Sequence, residues 1–170
     1  TAEGLDGPRP VIVFIYGGRW QEGSREIYDL LGDRFTRHGI TTVVPDYTLY
    51  PDTLFPGWVE EAARAVAWTV ENIAEFGGNP EWIYLVGHSA GAHTVTLLEM
   101  DERYLRDANV PAGSIRGVVS ISGPVATEWT DADVQALMGP PEGWPVTYPR
   151  NFVDAAVGPM LFLHGEGDTV

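Results

Sequence analysis

The 170-residue chain contains no cysteine and no lysine. The first absence excludes disulfides, thiolate metal sites and a cysteine nucleophile, and leaves the compartment open, with the cytoplasm favoured. The second leaves arginine as the only basic residue besides histidine. Ten arginines stand against 24 acidic residues, a formal charge of −14. So acidic a surface argues against nucleic acid or an anionic membrane as partner. No apolar run approaches the length of a membrane span. No signal peptide is visible, although a chain that starts with Thr1 leaves an earlier leader open. There is no internal repeat, charge block or linker. No group of histidines and carboxylates has metal-ligand spacing, and nothing implies a cofactor. What is present is 44% hydrophobic residues, enough for one globular domain with a sizeable core.

Apolar runs alternate with helical patterns. Val11 to Tyr16 is a β-branched run of the kind found in buried strands. Ser24 to Arg37 follows as a helix, with Ser24 as N-cap and Ile27, Leu30, Leu31 and Phe35 on one face, stopped by Gly39. Thr41 to Val44 is a second strand. A long helix runs from about Pro56 to Phe76, with Val59, Ala62, Ala63, Val66 and Val70 on one side, and stops at Gly77-Gly78. Ile83 to Val86, Ile115 to Ser122 and Met160 to His164 complete five strands, and Ala90 to Met100 is a helix. Between the last two strands, residues 124–159 are rich in Pro, Gly and Trp, with one short helical pattern from Asp131 to Met138. Such an irregular insertion is expected to be lid-like. The alternation predicts an α/β fold: a mainly parallel sheet with helices on both faces, binding ligand at the strands' carboxyl ends.

Chemistry concentrates in three turns. Gly87-His88-Ser89-Ala90-Gly91 is a Gly-x-Ser-x-Gly corner between strand and helix. Such a corner holds the serine hydroxyl clear of the backbone, and side chains at the glycines would collide with the neighbouring element. Ser89 is therefore the candidate nucleophile. After the first strand, Tyr16-Gly17-Gly18-Arg19-Trp20 can turn amide groups inward toward a developing oxyanion. Ala90 offers another amide at a helix start. Alone, Gly17-Gly18 would pass as an ordinary tight turn. After the fifth strand, His164-Gly165-Glu166-Gly167-Asp168 places a carboxylate where it can orient a histidine; elsewhere it would read as a solvated loop acid.

With these turns in place, the chain resembles the α/β-hydrolase fold, and within it the small carboxylesterases related to acetyl esterases, hormone-sensitive-lipase-like enzymes and arylformamidases. The matching segments are Val11–Trp20, Val44–Pro51, Phe76–Pro80, Gly87–His93, Ser122–Pro124 and Leu163–Asp168, in the family's order. The resemblance implies hydrolysis of a small carboxylic ester through an acyl-enzyme, with no cofactor. Ser89 would be the nucleophile and Asp168 the acid. Gly18, Arg19 and Ala90 would supply oxyanion amides, with Gly17 shaping the loop. Trp20 and His88 fall at the substrate pocket, His88 chiefly as steric support. Trp129, Trp144 and Tyr148 are candidate walls. The sheet order implied is two-one-three-four-five.

Three departures stand out. Tyr16 replaces the histidine that usually opens the oxyanion loop. Thr48 stands where an arginine is common. The family places its histidine on a loop after Asp168, and no residue here matches it. The chain therefore reads as a single incomplete domain, 1–170, truncated at both ends, with the histidine beyond Val170. Among the histidines present, His93 is the only rival base. His38 suits a helix end and His164 is expected to pack under the acidic loop. A catalytically incompetent fragment or a non-enzymatic binding relative is the alternative, and an aryl formamide the nearest alternative substrate. Oligomeric state is not legible.

Overall fold

The computed structural model describes residues 7–125, 128–154 and 157–168. One parallel sheet carries β1 (Arg9–Ile15), β2 (Thr41–Val43), β3 (Gly78–His88), β4 (Ile115–Ile121) and β5 (Met160–Leu163). Their order across the sheet is β2-β1-β3-β4-β5, as the resemblance implies. The helices are α1 (Asp29–Arg37), α2 (Gly57–Asn72), α3 (Ala90–Met100), α4 (Arg103–Asp107) and α5 (Ala132–Met138). None among the described residues is long and apolar enough to cross a membrane.

The central strands are apolar on both sides because helices cover both sides. Phe14 and Tyr16 of the first strand and its end meet the Tyr28 ring just before α1. On the opposite face, α3 packs on β3 and β4, and the hydroxyls of Thr96 and Ser120 meet at 3.1 Å. Val11, Val13, Ile83 and Leu85 are fully buried. The α2 face is laid down by Val59, Ala62, Ala63 and Val66, all buried, as the periodicity predicts. A 3-10 turn then leads to Gly77, whose left-handed backbone ends the element.

Three expectations are corrected. Ser24 has an extended backbone and makes no side-chain cap bond; a 3-10 turn, Arg25–Tyr28, precedes α1. Three residues per turn break the phase of the helical stripe. Leu31 and Phe35 still pack on the core, but Ile27 and Leu30 are 69% and 83% exposed. Secondly, the periodicity missed α4, a single short element after Asp101. The buried Asp101 carboxylate accepts from Arg103 Nε at 2.8 Å and from its backbone N–H at 3.3 Å. Thirdly, His164 does not pack under the acidic loop but is exposed beside it.

The stretch between β4 and β5 is well packed over its described residues. Asp131 caps α5 by accepting from the Asp133 amide. Trp129, Leu137, Met138, Thr147 and Tyr148 are buried. By contrast β5 lies at the edge of the sheet among the described residues, with Leu161 52% and Leu163 46% accessible.

Candidate active site

Ser89 stands where β3 ends and α3 begins, with φ 53° and ψ −119°. This left-handed conformation is strained for a residue with a Cβ. Two bonds hold the corner. The Ser89 amide donates to the Ile121 carbonyl at the end of β4, 2.8 Å away, and the Ser89 carbonyl accepts from His93 N–H at 3.1 Å. The flanking glycines leave no space for a side chain. A Cβ on Gly91 would lie 2.0 Å from the Ile15 carbonyl oxygen, and one on Gly87 2.3 Å from that of Gly91. The corner is thus pressed against the end of β1.

The loop after β1 runs over the serine. A Cβ on Gly17 would sit 2.9 Å from the Ser89 Cβ, so the two turns are in direct contact. Gly18, Arg19 and Trp20 all have positive φ. The Gly18 carbonyl accepts from the amides of Gln21 and Glu22 at 2.9 and 3.0 Å, and the Trp20 carbonyl from Tyr50 N–H at 2.8 Å. Among the described residues, the amides of Gly18, Arg19 and Ala90 donate to no backbone carbonyl.

Tyr16 braces this loop in place of a histidine. Its hydroxyl donates to Asp46 Oδ1 at 3.0 Å, and its carbonyl accepts from the Tyr47 hydroxyl at 3.0 Å. Burial, then the Asp46 carboxylate, pushes the Tyr16 phenol up to about 12, so it stays a donor. Burial drives Tyr47 up as well. Thr48 occupies the position of the missing arginine; its amide and hydroxyl donate to the Glu61 carboxylate at 2.6 and 2.8 Å.

Ser89, Ala90, Arg19 and Trp20 line one cavity of about 430 Å³, closed on the far side by Trp129 and Asp131. Arg19 Nη2 and Asp131 Oδ2 form an ion pair of 2.6 Å across its rim. The Arg19 guanidinium holds the Asp131 carboxyl below the usual carboxylate range. Nothing in the sequence marks this pair, since 112 positions separate its members. A larger cavity of about 660 Å³ lies between α2, α4 and the segment after α5, with neither Ser89 nor the β1 loop in its wall. It contains neither the strained serine nor the amides beside it, so the smaller cavity is the candidate site.

The remaining site residues divide. Trp20 is buried, and its indole N–H reaches Thr94 Oγ1 at 3.5 Å. His88 is exposed and outside the cavity lining, with its Nδ1 against Gly17. Trp144 and Tyr148 do not line the cavity; Tyr148 stacks behind Trp129. Asp168 lies after β5, at the same end of the sheet as Ser89, because Ser122 N–H donates to the Leu163 carbonyl beside the Ser89 corner. Its Oδ2 is 3.6 Å from His164 Nε2. His93 points elsewhere. It is 0% exposed, and its Nε2 lies 2.7 Å from the Thr147 carbonyl. Only an N–H can satisfy that carbonyl, so the proton is on Nε2. Burial lowers the His93 ring to about 4, which keeps it neutral. Among the described residues, no group of three or more histidines and carboxylates could hold a metal ion.

A sequence profile of the BD-FAE family matches residues 2–170. The chain belongs to this family. With its sheet order and serine corner, this BD-FAE chain is an α/β-hydrolase of the carboxylesterase group. It is 44% identical over 87 residues to a probable isoprenylcysteine alpha-carbonyl methylesterase of Oryza sativa, covering 51% of this chain and 20% of that protein. It is 29% identical over 185 residues to esterase LipC of Mycobacterium tuberculosis, covering 96% and 45%. The structure of a hyperthermophilic esterase from Pyrobaculum calidifontis superposes with a TM-score of 0.74 at 25% identity, covering 93% of this chain and 58% of that one. The BD-FAE chain thus spans from a fifth to under half the length of these two curated relatives.

Proposed function

We propose that the protein hydrolyses small carboxylic esters through an acyl-enzyme on Ser89. The observation that carries this reading is the shared cavity. The strained serine, the first amide of its helix and the loop after β1 line one 430 Å³ space with two indoles. Esters are also what the names of the two relatives and the archaeal neighbour describe.

In this mechanism the Ser89 Oγ attacks the ester carbonyl carbon while its proton passes to a histidine ring nitrogen. The carbonyl π pair moves to oxygen, where the amides of Gly18, Arg19 and Ala90 receive it, on a loop whose close approach requires Gly17. One such donor is worth about 3 kcal/mol in the transition state. Collapse expels the alcohol, which takes the proton from the histidine. Water then enters by the reverse path and releases the carboxylic acid. Asp168 orients the histidine, which by the family's order follows it in sequence. His93 does not fill that role, because it is fully buried and does not line the Ser89 cavity. Trp20 and Trp129 wall the acyl side, and residues 124–159 act as the lid-like cover.

The test is hydrolysis of p-nitrophenyl acetate by the protein. Replacing Ser89 by Ala should lower kcat by about 10⁴ or more. Activity that survives the substitution removes Ser89 from the mechanism. An aryl formamide assayed beside the ester decides between the two substrate classes.

A further inference from the structure

Behind the cavity, two indoles meet around one buried histidine. The His93 ring stands edge-on to Trp20 at 5.2 Å and to Trp129 at 5.5 Å, and the two indoles cross at 90°. Both indoles face the Ser89 cavity; His93 does not.

His93 and Trp129 are tied together through one residue of the segment before β5. Thr147 is fully buried. Its carbonyl accepts from His93 Nε2–H at 2.7 Å, its Oγ1 accepts from Trp129 Nε1–H at 2.5 Å, and its hydroxyl donates to the Trp144 carbonyl at 2.7 Å. A buried carbonyl without a donor is costly, so the backbone at 147 follows the His93 ring. The Trp129 indole in turn follows Thr147. His93 sits one turn of α3 beyond Ser89, on the same rigid element. Among the described residues its Nδ1 has no partner. An aromatic ring of similar size would pack as well without that orphan, so packing alone does not explain an imidazole here.

We propose that His93 is a positioning residue for substrate selection. Through Thr147 it fixes Trp129 against Trp20, and so sets the length of acyl chain that can reach Ser89. The inference rests on the reading of Ser89 as nucleophile. It concerns only how far the pocket extends.

The test compares the protein with His93→Phe and Thr147→Val. The first removes the donor and keeps the volume. The second keeps the carbonyl for His93 but releases the indole, and it carries the test alone if the first does not fold. Two readouts are taken: kcat/KM for p-nitrophenyl acetate against p-nitrophenyl hexanoate, and deuterium exchange of the Trp129 indole N–H, assigned by its loss in Trp129→Phe. The acetate-to-hexanoate ratio should shift about tenfold in each folded variant, with kcat for acetate within about threefold of the parent. The indole proton should be protected in the parent and exchange at least about tenfold faster in the variants. An unchanged ratio in folded Thr147→Val, or an indole unprotected in the parent, overturns the proposal. Protection lost in the variants while the parent hydrolyses no ester would instead overturn the reading of Ser89 and leave the clamp standing.

Discussion

The two halves of the candidate site are built differently. The Ser89 half lies over β1, β3 and β4, where neighbouring strands and α3 bury the backbone and the corner has no room to move. The Asp168 half hangs from β5, a four-residue edge strand with exposed leucines, followed by a loop closed by Asp168 N–H to the Gly165 carbonyl at 3.0 Å. Core packing therefore enforces the geometry of Ser89, whereas among the described residues the Asp168 loop is held by hydrogen bonds after β5. Strain can be stored only where the surroundings over-determine it, and the strained serine is on the enclosed side.

The comparison breaks first at Gly91. Gly91→Ala forces a methyl into the Ile15 carbonyl and should cost about 4 kcal/mol in urea unfolding. A loss under 1 kcal/mol would show that the corner has slack. Next, matched truncations sharpen it. Leu85→Ala, at a fully buried site, should cost about 3 kcal/mol, and Leu163→Ala, on the exposed edge, less than about 1 kcal/mol. Equal losses would erase the distinction between the halves.

The enclosed side also makes an acid-sensitive contribution. His93 titrates at about 4 when folded, chiefly through burial, against an ordinary 6.5. Between those values the unfolded chain binds a proton that the folded one does not. Stability should therefore fall as pH drops from 6.5 to 4, by up to about 3 kcal/mol, and this component should level off below 4. Urea midpoints across that range should show a shallower slope in His93→Phe. The smallest effect lies at the serine. Ser89→Gly relieves the positive φ and should be about 1 kcal/mol more stable than Ser89→Ala, which keeps the Cβ. Equal melting of the two would mean that the corner is unstrained.

Much of this was legible in the sequence because the relevant signals are local. The bounds of α3, Ala90–Met100, follow from the glycine corner and the apolar run. The sheet order is not a local signal; it is implied by the family resemblance that the motifs carry. Misreadings arose where a pattern depends on its surroundings. Ile27 and Leu30 fit an apolar stripe, yet a stripe does not state what lies against it. Ser24 has the chemistry of a cap, but the chain there chooses a 3-10 turn. The stretch after β4 looks irregular because its order comes from distant partners: Arg19 for Asp131 and His93 for Thr147. No spacing rule exposes contacts across 54 or 112 residues.

The most direct test is covalent. The protein is treated with a p-nitrophenyl phosphonate and the adduct located by peptide mapping. The account predicts one phosphonylated residue, Ser89, with esterase activity lost in proportion to the labelling. Stoichiometric labelling at another residue, with esterase activity abolished and Ser89 unmodified, would contradict it.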